Sequence, residues 1–320
     1  RDYVPGYTFG LRSNVEIQID MSDNKSSNTI IGYIAGIVAG ISYGLNPLFA
    51  HPLISNGVEV PAMLFFRYLI AVICMGVLMM LRKESFRLKR QEISTVLILG
   101  VLFAFSSLFL FFSYKYIPSG LATTLVYLYP VFTALIMVCL REYPTWKVWI
   151  SIIATFAGVV LLCMPSGDID LNMFGLMLAA SSALSYALYL VVVNKSKSIK
   201  NLPEDTLTFY ALGSGAIFFL IFNFATGNAN LLKGIDTPAL WGDLLALGIF
   251  PTMVSLLTLA ISTRNIGATK TSVLGVFEPL TAIFIGTVVY NELMTTNMFI
   301  GAAICVAAVL FMIASGKKSS

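Results

Sequence analysis

From Ile30 onward the chain alternates between long apolar runs and short polar breaks. The runs are roughly 18–22 residues long, the length at which an α-helix crosses ~30 Å of hydrocarbon. Ten are read, at 30–50, 62–81, 94–114, 119–140, 147–164, 173–193, 206–225, 239–261, 268–290 and 296–314. Each run is continuously apolar rather than alternating, and each exceeds the ~10 residues of a membrane-barrel strand. The pattern therefore predicts an all-α integral membrane fold. Most breaks are short, so consecutive helices are expected to be antiparallel.

The breaks differ in charge, and the difference predicts orientation. With the N-terminus placed in the cytoplasm, cytoplasmic segments carry Lys25; Arg82, Lys83, Arg87, Lys89 and Arg90; Arg141 and Lys147; Lys195, Lys197 and Lys200; Arg264 and Lys270; Lys317 and Lys318. The opposite side carries Lys115 and Lys233. Fifteen basic residues against two predict that both termini are cytoplasmic.

The apolar pattern also repeats. Gly32 and Ser42-Tyr43 recur as Gly175 and Ser185-Tyr186 at an offset of 143, and Pro61 and Tyr68 recur as Pro203 and Tyr210 at 142. Pro118 then meets Gly267, Thr123 meets Ser272, Leu125 meets Leu274 and Pro130 meets Pro279 at 149, and Glu142 meets Glu292 at 150. The growing offset fits the long connection 226–238, which has no counterpart of equal length. A repeat near half the chain length is an architectural statement. It divides the chain into a tail (1–29), a first half (30–164), a second half (173–314) and a closing tail (315–320). Residues 1–20 precede Met21, whose context reads as a natural start, and they lack the basic start and apolar core of a signal peptide. Each half holds five spans, an odd number, so the second half is expected to enter the membrane upside down relative to the first. Such inverted repeats recur in secondary transporters.

Five plus five spans, Arg67 in Phe-Phe-Arg-Tyr-Leu-Ile-Ala, Pro130 in Leu-Tyr-Pro-Val-Phe-Thr-Ala, and Glu278-Pro279 in Phe-Glu-Pro-Leu-Thr-Ala with Glu292 closing that span are the marks of a family. Over about 30–314 the chain resembles the EamA-type permeases of the drug/metabolite transporter superfamily. It departs from that pattern at Glu142, which is followed by Tyr-Pro where the family has an apolar residue. The resemblance implies a bacterial inner-membrane protein of ten helices that moves small organic metabolites, often outward. It further implies that helices one to four and six to nine surround the cavity, with five and ten peripheral.

Composition narrows the alternatives. Of the 320 residues 58% are hydrophobic and 11% charged, against roughly 25% charged in a soluble domain, so the principal partner is the lipid bilayer. The net charge of +4 is too small and scattered for nucleic-acid binding. Cys74, Cys139, Cys163 and Cys305 all lie in apolar runs without metal or disulfide spacing and read as packing residues. His51 is the one histidine, at the outer end of the first span. Neither grouped catalytic side chains nor a phosphate-binding loop is found, so no enzyme, cofactor, metal or ATP-driven pump is expected. The expected function is a secondary transporter that exports small organic metabolites such as amino acids by alternating access. A broad-specificity drug or lipophilic-cation exporter is the second expectation and a non-transporting subunit the third. Protons are a candidate coupling ion, and the oligomeric state is read as monomer or homodimer.

Polar groups on apolar spans need a partner or a use. Arg67, about five residues into its span, either forks onto a substrate carboxylate or phosphate, or anchors to backbone carbonyls or snorkels toward the outer interface. Glu278, near mid-membrane, is either a protonatable coupling site or an acceptor that braces the break at Pro279. Pro130, at the matching point of the fourth span, has Tyr129 where Glu278 stands in the ninth. Asn46-Pro47 and Phe250-Pro251 are expected to break the first and eighth helices. Tyr43, Tyr127, Tyr186, Tyr189 and Tyr210 fall inside spans and ask either for a polar cavity or for interhelical hydrogen bonds. Phe103, Phe105, Phe109, Phe111 and Phe112 make the third span aromatic, for packing or for a cavity suited to aromatic or apolar solutes. Gly36 and Gly40 form a small-xxx-small pair for close helix approach. The substrate site is thus expected between the halves, lined by Tyr43, Asn46, Arg67, Tyr127, Tyr186, Tyr210 and Glu278.

The basic asymmetry makes a direct prediction. Membrane-impermeant thiol reagents applied to intact cells should miss single cysteines placed in loops 82–93 and 194–205 and should label cysteines in 165–172. Equal labelling of the three loops would contradict the orientation.

Overall fold

A computed structural model describes residues 27–113, 115–117, 122, 125–162, 172–227, 230–289 and 296–316. Pro118, Thr123, Cys163 and Glu292, which the repeat and the cysteine reading used, lie outside the described residues. Within them the structure is helical, with ten segments in chain order. Helix α1 covers Ser27–Ser55, α2 Val60–Arg82 and α3 Arg90–Ser113. Helix α4 contains Tyr129–Cys139, α5 is Trp146–Leu162, α6 Met173–Lys195 and α7 Glu204–Ala225. Helix α8 joins Pro238–Gly248 to Ser255–Ile266 through a π-helical turn at Ile249–Val254. Helix α9 joins Ala268–Leu274 to Phe277–Val289, and α10 is Thr296–Gly316. Among the described residues six of these helices are long and apolar enough to cross a membrane.

The ends differ from the hydropathy reading for a local reason. Helix α1 runs on to Ser55 and α8 to Ile266, because the helix-stopping residues come later, at Gly57 and Gly267. Gly267, at φ +85°, is the single residue between α8 and α9. Its positive φ turns the chain where a side chain would be strained. Asn172 caps α6 by accepting from the N–H groups of Phe174 and Gly175, at 3.0 and 3.2 Å.

Helix-on-helix packing runs between the two halves of the chain. Helix α5 packs along α10, α2 along α7, α3 along α6 and α7, α4 along α6, and α1 and α2 along α8. The outward surfaces are apolar. On α7, Ile217, Ile221 and Phe224 stand about 60% exposed at helical spacing, a stripe that suits hydrocarbon and would be a liability in water. Inside, polar groups pair across helices, as Ser182 Oγ does with the Ser106 carbonyl (2.7 Å) and the Tyr68 hydroxyl with Ser107 Oγ (3.1 Å).

Close approach depends on glycine. Along α1, the glycines that read as a packing pair extend to a row. A Cβ at Gly32 would press on Ile266, at Gly36 on Leu274, at Gly40 on Phe277 and at Gly44 on Thr281. Gly100 on α3 lies against the Ala211 carbonyl and Ser214 of α7, and Gly248 on α8 lies against the Arg67 carbonyl and Ile70 of α2.

All three ion pairs among the described residues sit at the end of the molecule that carries the basic loops. Arg82 pairs with Asp205 at 3.1 Å, Arg264 with Glu204 at 3.0 Å, and Lys195 with Glu142. Arg264 also donates to the carbonyls of Ile199 (2.9 Å) and Leu202, which shapes the α6–α7 connection. Glu142, the residue that departs from the family pattern, is held here by Lys195. These pairs are partly exposed and each contributes little on its own.

The packing predicts an asymmetry between glycines. Gly100→Ala drives a methyl group into a backbone carbonyl that cannot move aside, and such overpacking costs about 1–3 kcal/mol. Gly213→Ala meets nothing within 4 Å and gains helix propensity. Thermal unfolding in detergent should show Gly100→Ala clearly lowered and Gly213→Ala at or above wild type. Equal midpoints would contradict the packing.

Candidate functional site

Two prolines set the geometry. Pro279 has no N–H for the Gly275 carbonyl four residues earlier. The chain turns at Gly275–Val276, where the Glu278 N–H donates to the Gly275 carbonyl at 2.9 Å and the Val276 N–H to the Val273 carbonyl at 3.2 Å. Pro130 likewise has no N–H for the Val126 carbonyl, and α4 turns at 127–128, where the Leu128 N–H donates to the Leu125 carbonyl at 3.0 Å. The brace at Pro279 is thus the backbone of Glu278. Its carboxylate is left for other partners, so the reading of that side chain as a brace is corrected.

The carboxylate faces tyrosines. The Tyr129 hydroxyl donates to Glu278 Oε1 at 3.4 Å, and the Tyr186 phenol also approaches it. Tyr129 and Tyr186 have ring centroids 4.6 Å apart, and Tyr186 stacks on Tyr43 at 6.3 Å. Tyr127 sits 5.6 Å from Tyr129 and donates its hydroxyl to the Val273 carbonyl at 3.0 Å, on the broken turn of α9. Gly275 lies under the Tyr129 hydroxyl, where any Cβ would collide with it. Phe103 packs on Tyr68, Tyr186 and Tyr189, which puts one of the α3 phenylalanines beside this centre. Phe105 and Phe109 stack on each other, and Phe105 also packs on Phe218. Glu278 and Tyr43 are half-buried. Tyr127, Tyr129 and Tyr186 are buried.

Arg67 is fully buried on α2. Its Nε donates to Thr252 Oγ1 at 2.5 Å and its Nη2 to the Pro251 carbonyl at 3.3 Å, both on the π-helical turn of α8. The guanidinium carbon lies 5.6 Å from the centre of the Tyr43 ring. One nitrogen, Nη2, thus meets a backbone carbonyl, and Nε meets a side-chain hydroxyl. The third, Nη1, is buried without a hydrogen-bond partner among the described residues.

Both predicted helix breaks are present. Helix α1 turns at Leu45, and Asn46 and Pro47 open its second segment. The side-chain oxygen of Asn46 is buried without a donor among the described residues. Phe250-Pro251 lies inside the π-helical turn of α8.

Six of the seven predicted residues, Tyr43, Asn46, Arg67, Tyr127, Tyr186 and Glu278, lie on the inner parts of α1, α2, α4, α6 and α9. Tyr210 does not join them. Its hydroxyl donates to the Phe86 carbonyl at 2.7 Å, in the α2–α3 connection, because position 210 lies only two turns into α7. Two contributors were not among the predicted residues. Tyr129 was marked by its repeat position, which matches Glu278 at an offset of 149. Thr252 was marked only by a hydroxyl beside an intramembrane proline. Among the described residues no cluster of His, Cys, Asp or Glu could hold a metal ion.

The sequence model of the EamA-like transporter family matches residues 30–164 and again 173–314. An uncharacterized transporter of Bacillus subtilis, YdfC, is 26% identical over 270 residues, covering 82% of this chain and 85% of its own. An uncharacterized transporter of Archaeoglobus fulgidus is 28% identical over 250 residues, covering 77% and 86%. A solved crystal structure superposes with a TM-score of 0.75 at 19% identity, over 92% of this chain and 99% of its own. That likeness shows the fold.

Proposed function

Since the chain belongs to the EamA-like transporter family, we propose that it is a secondary transporter that exports small organic metabolites, amino acids above all, by alternating access around the tyrosine–glutamate centre. The observation that carries this reading is that residues matched by the repeat meet one another. Tyr129 and Glu278, 149 apart, share a hydrogen bond, and Tyr43 and Tyr186, 143 apart, share a ring contact. Matched positions touch each other only near the axis that relates them. An axis here supports a site reachable alternately from two sides.

Packing away from the centre supports the same relation. Gly100 approaches residues 211 and 214 of α7, and Gly248, 148 positions later, approaches 67 and 70 of α2. A rotation that exchanges the halves maps one contact onto the other. We place this axis in the membrane plane because each half has five spans. Both termini then face the cytoplasm of a bacterial inner membrane, in line with the basic asymmetry.

In this reading Arg67 takes the anionic end of the solute, the Tyr43 and Tyr186 rings its carbon body, and Glu278 the coupling proton. Arg67 and Glu278 form no ion pair with each other, so one can bind solute while the other titrates. A second reading rests on the same carboxylate, since an acidic group among tyrosine rings also suits a lipophilic cation. Proteoliposomes offered amino acids and cationic dyes in parallel separate the two by which set moves.

Glu278→Gln tests the coupling role. The amide keeps the size of the side chain and its acceptor for Tyr129, and it carries no titratable proton. Transport driven by a pH gradient should be lost, while expression and solute exchange without a gradient persist. Gradient-driven transport by Glu278→Gln vesicles at the wild-type rate would rule out Glu278 as the coupling site.

A further inference from the structure

Among the described residues the Arg67 guanidinium makes no ion pair. A charge buried at this depth is costly unless it is paired, yet the three ion pairs among the described residues all use other cations. Two of its nitrogens are spent on α8 and Nη1 is not. On α1, the ring beneath the guanidinium is Tyr43. Three residues further on, the Asn46 side-chain oxygen is a buried acceptor with no donor. One unmet cationic donor thus lies over the Tyr43 ring, and one unmet neutral acceptor belongs to the residue three positions after Tyr43 on the same helix. A carboxylate satisfies the first and an ammonium the second. A fully ionised phosphate would satisfy Arg67 and leave Asn46 unmet.

The aim of the guanidinium is set by a chain of substitutions for missing bonds. Pro251 cannot donate to the Leu247 carbonyl four residues earlier. The Thr252 hydroxyl supplies that donor, at 2.8 Å. Its single proton is then committed, so toward Arg67 the oxygen can only accept, and it takes Nε at 2.5 Å. The Pro251 carbonyl fixes Nη2, and a planar guanidinium held at two nitrogens has its third direction determined.

Building on the transporter reading above, we propose that Arg67 Nη1 and the Asn46 side-chain oxygen form a head-group site for a zwitterionic amino acid, and that Thr252 is the positioning residue that aims Arg67 at it. The experiment compares L-phenylalanine with L-phenylalaninamide, which lacks the carboxylate, in proteoliposomes of wild type, Thr252→Val and Thr252→Ser. Wild type should favour the acid. Thr252→Val keeps the shape and loses the hydroxyl, so its KM for phenylalanine should rise about tenfold with kcat held. Its KM for the amide should stay unchanged. Thr252→Ser keeps the hydroxyl and should restore the preference. Wild-type vesicles that carry acid and amide alike would overturn this site and leave the transporter reading standing. So would a Thr252→Val change that affects both compounds equally or falls on kcat alone. Wild-type vesicles that carry neither compound would overturn the amino-acid reading and this site with it.

Discussion

A chain in hydrocarbon must satisfy every backbone hydrogen bond from within, so an interrupted membrane helix survives only where another group replaces what the interruption removed. Four helices here are interrupted, α1 at Leu45, α4 at 127–128, α8 at Ile249–Val254 and α9 at Gly275–Val276. A proline accompanies each. In α9 the Glu278 N–H takes the carbonyl that Pro279 leaves, and in α8 the Thr252 hydroxyl takes the one that Pro251 leaves, while the turns of α4 and α1 are closed by the Leu128 N–H on the Leu125 carbonyl and the Leu45 N–H on the Ser42 carbonyl at 3.3 Å. The side chains around these breaks, Tyr127, Tyr129, Glu278, Arg67 and Asn46, are those of the proposed site. In that proposal the binding chemistry and the helix breaks are one feature, and close contacts at Gly36 and Gly40 hold α1 against α9 while Gly248 holds α8 against α2.

Much of this could be read from the residues. The apolar runs gave the helices to within a few residues, since a membrane span has to be both long and apolar. Prolines 47, 251 and 279 located three interruptions, because a missing N–H acts locally whatever the surroundings. Arg67 and Glu278 stood out because charge at bilayer depth is rare. What stayed hidden was the partner of each group. Nothing in the chain order tells that Arg67 leans on Thr252, 185 positions away, or that the carboxylate of Glu278 leaves the bracing of Pro279 to its own backbone. Tyr210 shows the limit from the other side. It lies inside an apolar run, yet it serves a connection, because it sits near the start of α7 where the α2–α3 segment folds over.

The repeat deserves the same reading in physical terms. Matched positions need not resemble one another when they lie near the relating axis, because there each is the other's environment. Tyr129 and Glu278 are matched and unlike, and their difference is complementary, a donor against an acceptor. Tyr43 and Tyr186 are matched and alike, and they stack. In the proposed arrangement, an unlike matched pair at the axis yields an asymmetric centre between two halves that both match the family. In the proposed mechanism that asymmetry separates the anion-binding end at Arg67 from the titratable end at Glu278.

The most direct measurement is the structure of the protein with a transported amino acid bound. The account predicts a carboxylate oxygen within hydrogen-bonding distance of Arg67 Nη1, the carbon body against the Tyr43 and Tyr186 rings, and the contacts of Arg67 with Thr252 and Pro251 retained. A ligand held at Glu278 or elsewhere, with Arg67 Nη1 still unpartnered, would contradict it.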